Sequence, residues 1–423
     1  MARYLHAAAR LGRSLQATAR LSRFFGTPKG REMRTLAQSL PGSLIREIAN
    51  EAMDQSGLIA LWFGESDLPT DPAIRAHAVE SLAAGETFYS ANLGIPALRD
   101  AIACYQNTHF GASASADNIV VTVSGLNAIL LTLSAIVDPG DEIVVLTPAW
   151  PNLAAIPTLL GASVRRVPIE LRGDRFALDL DRLADALTAK TRAVILNSPN
   201  NPTGWSIPAD DLRALVDLLD LRGIWLIADE VYSRLSFAGQ AASALPYLDD
   251  RRRIIVVNSF SKTWAMTGWR LGWLTVPRDT GAVFEKLMEF NTSCAPVFAQ
   301  RAGITALKQG EEFVAMQLDR LRAARAAVIV AFSGHDRITL PAIDATFYAF
   351  PRIGGLSNGA TFARRAIAAI GVGVAPGEAF GEEGRGHVRL CFARDPEVIA
   401  DACARLVNFV DQAAPGSGKT RRL

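Results

Sequence analysis

Residues 258–273 read NSFSKTWAMTGWRLGW, which sets one lysine, Lys262, between two serines, Ser259 and Ser261, and an arginine, Arg270. Strand-like IIVVN (254–258) precedes this stretch and strand-like LGWLTV (271–276) closes it. A lysine in a turn between buried strands, beside Gly268 and three tryptophans, is expected to lose part of its hydration. Desolvation favours the neutral amine and lowers its pKa, which makes it a usable nucleophile and base. Two hydroxyls and a guanidinium are what a phosphate ester requires. A carbonyl-reactive amine beside a phosphate cradle describes a site for pyridoxal phosphate held as a Schiff base. Taken alone, Lys262 and Arg270 read equally well as ordinary surface charges, and the rest of the chain has to decide.

Such groups need a scaffold that carries distant segments to one edge. From Asn118 apolar runs alternate with amphipathic ones. Strand 119–123 turns through Ser124, Gly125, Leu126 and Asn127 into helix 128–136. Strand 142–146, strand 193–197, helix 209–221 and strand 225–228 follow, and the next strand carries Lys262. This rhythm is that of an open α/β sheet. A strand turning through Ser-Gly into a helix aims N–H groups and the positive dipole end at one point, an anion site. It lacks the GxGxxG fingerprint, so a dinucleotide is not implied.

Polar clusters fall at the strand ends. Trp150 follows 142–146 and sets an indole at the carboxyl edge of the sheet, where ligands bind in open α/β folds; a core aromatic is the alternative reading. NSPNNPTG (197–204), with Asn201, is too rich in Pro and Asn for a regular element. In ADEVY (228–232), Asp229 ends a buried run and must be paired or solvated, a cofactor ring nitrogen being the candidate partner. Helical segments at 282–309 and 311–332 lead to strand 346–351, helix 359–370, a turn at 376–378 and strand 387–392, read as a second, smaller domain. Arg389 lies inside apolar HVRLCF; a buried arginine needs an anion, and a substrate carboxylate is a natural one. Upstream, residues 43–52 read as a short serine-capped helix. LIALWFGESDLPT (58–70) carries a turn at Gly64, whose backbone faces substrate or simply connects two segments. Tyr89 precedes a turn at 92–94 with its hydroxyl free to reach out, although packing is the commoner role. A helix opens near Pro96.

At 423 residues the chain exceeds one ordinary core, so two domains are expected. With 49% apolar and 20% charged residues and a net charge of +2, nothing points to a nucleic-acid partner. No apolar run reaches membrane-span length. Four scattered cysteines without a CxxC pair fit a reducing compartment, and scattered histidines argue against a metal mechanism. Before Glu32 stand Arg3, Arg10, Arg13, Arg20, Arg23, Lys29 and Arg31 and no acid. That composition fits a mitochondrial transit peptide or an unstructured extension ahead of Met33, and a cytoplasmic setting is the expectation. GSGKT (416–420) mimics part of a phosphate loop, but Ala413 stands where its first glycine belongs, so the stretch is read as a flexible tail.

Taken together, NSPNNPTG, ADEVY, SFSKTWAMTGWR and HVRLCFA, in this order, resemble the class I/II aminotransferases, the fold-type I pyridoxal-phosphate enzymes, from about residue 33 to 409. The resemblance implies a large three-layer α/β/α domain with a mostly parallel sheet (76–314) and a smaller α+β domain built from both chain ends (33–75 and 315–412), with 1–32 an extension and 413–423 a tail. It implies that Lys262 is the Schiff-base lysine, Asp229 faces the pyridine nitrogen, and Tyr232 and Asn201 hydrogen-bond the phenolic oxygen. Trp150 would stack on the ring. Ser124, Gly125, Leu126, Ser259, Ser261 and Arg270 would hold the phosphate, and Arg389, with the Gly64 backbone, the substrate carboxylate. The tyrosine matching Tyr89 reaches the phosphate across a subunit boundary in this family, implying a homodimer with shared sites.

The implied reaction is ping-pong transfer of an amino group from an L-amino acid to a 2-oxo acid through a Lys262 aldimine; a lyase or synthase on the same fold is the alternative. Many aspartate-using members carry GGKQ where Ser124-Gly125-Leu126-Asn127 stands here, and their lysine helps bind the acidic side chain. Leu126 offers no charge, so a broad or a neutral or aromatic donor range is expected, with 2-oxoglutarate or pyruvate as acceptor.

Overall fold

Seven strands form the central sheet, in the order 119–122, 272–275, 254–259, 225–229, 191–197, 142–147 and 163–168. Only Gly272–Thr275 runs antiparallel to its neighbours, Ile119–Thr122 and Ile254–Ser259; the other pairs are parallel. The computed structural model describes residues 33–412. The readings of 1–32 as an extension and of 413–423 as a tail fall outside them.

Parallel strands covered on both faces must be apolar on both, and Glu142–Thr147 and Ile254–Ser259 are buried throughout. Side chains alternate across the sheet with the period of two that a strand imposes. On one face Ile143, Val145, Ile195, Ile227, Ile255 and Val257 pack with Ile129, Leu133, Leu153, Phe284 and Met288 of helices Gly125–Ile136, Asn152–Leu160 and Gly281–Glu289. On the other, Val144, Leu146, Val194, Leu226 and Val256 meet Leu98, Ile102, Leu215, Leu219 and Ala302 of helices Pro96–Phe110, Ala209–Arg222 and Val297–Gln309. This is the three-layer α/β/α sandwich that the resemblance implies.

Contact density divides the chain at Pro41. Of the first unit, the described residues hold one short helix, Thr35–Ser39. In the second, Ile59–Ala60 pairs in parallel with Val372–Gly373, while Tyr348–Ala349, Val388–Cys391 and Ala375–Pro376 form a three-stranded sheet. Helix Leu44–Ala52, whose Ser43 cap accepts from the Arg46 N–H, packs on Gly359–Ile370. Arg364 ties the two, reaching Glu47 and Glu51 at 2.7 Å each. The long helices Glu311–Phe332 and Pro396–Gln412 pack on one another.

Two expectations change. Lys262 sits in a short helix, Phe260–Thr263, rather than a turn, because the Ser259 side chain caps it by accepting from the Ser261 N–H at 3.1 Å. The helical run expected over 282–309 is two helices: Gly281–Glu289 ends before Ser293, at positive φ, and Val297–Gln309 starts after Pro296. Among the described residues no helix is long and apolar enough to cross a membrane.

Candidate active site

The parallel strands end at one edge, and there a cavity of about 650 Å³ opens. Gly125 and Leu126 follow the first strand, Trp150 stands beyond the 142–147 strand, and Asn197 and Asn201 end the next. Asp229 and Tyr232 close the strand beside it, and Ser259, Ser261 and Lys262 the last; all these line the cavity with Gly64, Arg270 and Arg389. Thus twelve residues singled out from sequence converge there, with Asn197 beside them. Two do not line it. Ser124 is buried directly beneath, capping helix Gly125–Ile136 by accepting from the Asn127 N–H at 3.0 Å. Tyr89 is 89% exposed and belongs to the outer surface of this chain.

Lys262 is partly buried, and its Nζ donates to the Gly64 carbonyl at 2.6 Å. Desolvation, with Arg389 and Arg270 nearby, pulls its pKa down to about 8 against the opposing pull of Cys391 and Glu65. Its ammonium also lies 6.0 Å from the Tyr232 and Phe347 ring centres. Asp229 is buried, and desolvation pushes its carboxyl up to about 7, offset only in part by the Val231 N–H and Lys262. Tyr232 is buried with its hydroxyl 2.8 Å from that of Tyr348, and burial lifts its pKa well above the ordinary value.

Arg389 is 3% exposed. One of its nitrogens donates to Asn201 Oδ1 at 3.0 Å and another to the Trp62 carbonyl. Its guanidinium lies 4.5 Å from the Tyr348 ring centre and 4.9 Å from that of Phe380. No carboxylate among the described residues pairs with it, and its Nε has no acceptor. Asn201 is in turn set by its N–H donating to Asn197 Oδ1 at 2.9 Å.

At one end of the cavity, donors from backbone and side chains stand together. The first N–H groups of helix Gly125–Ile136 have no acceptor within the helix, and Ser259 Oγ and Ser261 Oγ stand 2.9 Å apart beside them. Arg270 is exposed and donates to the Thr267 carbonyl at 2.6 Å. Gly272 lets the antiparallel strand pass under this turn: a Cβ there would fall 2.7 Å from Gly125 N.

The family model for aminotransferase class I and II matches residues 58–406. The chain belongs to that family. An aromatic-amino-acid aminotransferase from Thermococcus litoralis is 35% identical over 86% of this chain and 94% of its own. An aspartate aminotransferase from Pyrococcus abyssi is 34% identical over the same shares. A mutant aspartate aminotransferase from Thermus thermophilus superposes with a TM-score of 0.84 at 30% identity, over 89% of this chain and 99% of that one. This chain is therefore an aminotransferase of fold-type I.

Enzymes of this family use pyridoxal phosphate, and the residues of the aminotransferase cavity fit that group. Asp229 is a buried carboxylate whose nearest donor is the Val231 N–H at 3.5 Å, so a cationic ring nitrogen would supply what it lacks. Gly125, Leu126, Ser259, Ser261 and Arg270 offer donors where a phosphate would sit. Sequence reasoning missed Arg46, Trp62, Phe63, Asn197, Thr267 and Tyr348 as lining residues. Tyr348 had one available signal, a tyrosine within the strand-like run 346–351, but nothing local ties it to Tyr232.

Proposed function

We propose that this aminotransferase binds pyridoxal 5'-phosphate through Lys262 and moves an amino group from an L-amino acid to a 2-oxo acid in two half-reactions. Bound there, the cofactor supplies a carbonyl that condenses with amines and a protonated ring that accepts electron density from the substrate Cα. The chain supplies the rest. Asp229, ionised opposite a cation, holds a proton on the ring nitrogen. Tyr232 and Asn201 direct hydrogen bonds to the phenolic oxygen, and Trp150 covers the ring. Ser124 positions the turn whose Gly125 and Leu126 N–H groups, with Ser259, Ser261 and Arg270, bind the phosphate. Arg389 binds the substrate α-carboxylate beside the Gly64 backbone, and Lys262, as a free amine, carries the proton to and from Cα. Fixing these groups in one orientation lowers the barrier more than any single contact does.

The observation that carries this reading is that one cavity brings together a partly buried amine, Lys262, a buried carboxyl, Asp229, and a buried arginine, Arg389, that pairs with no carboxylate among the described residues. Leu126 in place of a charged residue supports a neutral or aromatic donor. Equimolar keto-acid formation and amino-group transfer by recombinant enzyme tests the reaction. Loss of both in Lys262→Ala is expected, and full turnover in that variant would refute the assignment. Exposed Phe88, Tyr89 and Phe290 support a homodimer in which Tyr89 completes the partner's phosphate site. For a small domain of 33–75 and 315–412, the part beyond Pro41 is supported by the pairing of Ile59–Ala60 with Val372–Gly373. Four unpaired thiols fit a cytoplasmic setting.

A further inference from the structure

Lys262 stands in a helix of only four residues, Phe260–Thr263. The last four carbonyls of a helix have no partner within it, so an element this short depends on what packs against its carbonyls. Those of Lys262 and Thr263 both accept from one side-chain amide, Gln317 Nε2, at 3.2 Å each. Gln317 is 2% exposed and belongs to the second turn of helix Glu311–Phe332. Three residues on, and so on the same helix face, Arg320 grips the Asp67 carboxylate with both terminal nitrogens, one of them at 3.0 Å. Asp67 is held further by its N–H, which donates to the Ala393 carbonyl at 3.1 Å, and by its carboxylate, which accepts from the Asp395 N–H at 3.2 Å. It lies three residues beyond Gly64, whose carbonyl takes the Lys262 amine at 2.6 Å. The lysine is thereby tied at both ends to one helical turn: its own carbonyl through Gln317, its amine through the Gly64–Asp67 segment and Arg320. Thr70 joins the same two segments again, donating to the Ala265 carbonyl at 2.7 Å and accepting from Trp269 Nε1 at 2.9 Å.

We propose that Gln317 and Arg320 are positioning residues for Lys262: one turn of helix Glu311–Phe332 holds both the lysine's own short helix and the segment that receives its amine, and so keeps that amine in its desolvated place. The inference rests on the reading of Lys262 as the reacting amine. Neither Gln317 nor Arg320 lines the cavity, so each acts through the lysine. A lysine stem carries much rotamer freedom, and its amine keeps one acceptor only while the main chain at both ends of the span is fixed. Without the Gln317 amide, two carbonyls beneath Lys262 lose their donor and the short helix loosens from its support. Without Arg320, the Gly64 segment loses its tie to the same support. Either change admits water to the amine, and hydration favours its ammonium form. Filling space alone does not call for a glutamine, since an apolar side chain of equal length packs as well; the two donors of the amide are the specific feature.

Wild type is compared with Gln317→Met, Arg320→Gln, Arg320→Lys and, as a control, Leu321→Ala, which opens space on the same helix at a buried side chain that bonds neither segment. Two quantities are read: the pH midpoint of Lys262 acetylation in the full-length cofactor-free chain, by peptide mass spectrometry, and kcat and KM for one amino donor in the cofactor-loaded enzyme. The wild-type midpoint is expected at about 8. In Gln317→Met and Arg320→Gln it should rise by about half a unit or more towards the ordinary lysine value. In both, kcat should fall about 3- to 10-fold with KM changed less than about twofold, and Arg320→Lys should recover part of each effect. Leu321→Ala should lower the melting temperature and leave the midpoint where it is. A Gln317→Met or Arg320→Gln chain with unaltered midpoint and unaltered kcat overturns the proposal, as does a Leu321→Ala midpoint displaced as far as that of Gln317→Met. Turnover that survives Lys262→Ala would sink the reading of that amine instead, and the acetylation midpoints would still decide Gln317 and Arg320.

Discussion

In the proposed reaction Lys262, a desolvated amine near 8, is the base of the donor half-reaction. Its neutral form is lost as pH falls through 8, so the rate of Cα proton removal should decline about tenfold per pH unit below that point. A pH series of single-turnover absorbance traces checks this. Asp229 behaves in the opposite sense. Its carboxyl is held near 7 in the folded chain against about 3.9 unfolded, so the folded state retains a proton that the unfolded state has released. Stability of the cofactor-free chain should therefore fall as pH rises from about 4 through 7. Glu230, also lifted to about 7 by burial, adds to the same decline. Asp229→Asn should raise the melting temperature of the cofactor-free chain at pH 8 while lowering kcat at least about 100-fold, because an amide cannot hold the ring proton. Calorimetric melting and steady-state assays read the two effects separately. Tyr348→Phe leaves the ring that supports Arg389 and removes the hydroxyl bonded to Tyr232. Its pH optimum should shift while KM for the amino acid changes less than about threefold; Tyr348→Leu, which removes the ring, should raise KM.

At the scale of elements, the junction of strand Ile119–Thr122, the Ser124 turn and helix Gly125–Ile136 rests on Gly272. Gly272→Ala would drive a methyl into the Ser124–Gly125 backbone. The expected outcome is a loss of about 1–3 kcal/mol in stability together with weaker phosphate retention, measured by denaturant unfolding and by cofactor release on dialysis. A variant as stable as wild type with full cofactor retention would show that the turn does not depend on this close approach. Elements also differ in how plainly their residues announce them. The 191–197, 225–229 and 254–259 strands are continuous apolar runs bounded by polar turns, and their existence was legible. Ser163–Pro168 was not, since it is an edge strand whose exposed Arg165 and Arg166 break the apolar pattern; Arg165 instead pairs with Glu142 at 2.8 Å. Helix Pro396–Gln412 also went unread. Its buried face, Ile399, Ala402, Cys403, Leu406, Phe409 and Val410, has helical spacing, and it meets a partner helix that begins at Glu311, far back in the chain.

For the molecule as a whole, Phe88 and Tyr89 at 83% and 89% exposure and Phe290 at 89% leave large aromatics in water, which monomers rarely sustain as a patch. The Tyr89 and Phe290 segments are neighbours: Asn92 donates to Glu289 at 3.0 Å and Ser90 to Cys294 at 3.4 Å. The enzyme should sediment as a dimer at micromolar concentration, and Tyr89→Phe should release cofactor about tenfold more readily without altering Lys262, a change in one charge-assisted hydrogen bond. A monomer with full activity would remove the shared-site reading.

Residue order along the polymer was enough to determine the α/β alternation, the amine at Lys262, the carboxyl at Asp229 and the arginine at Arg389, because each sits in a short run whose chemistry is unusual for a buried strand end. Only the tertiary structure decided what lies between them. The Tyr232–Tyr348 hydroxyl pair, the Gly64 carbonyl under Lys262 and Arg46 on the cavity wall join segments more than a hundred residues apart, and no local spacing encodes a contact made by packing separate elements against one another.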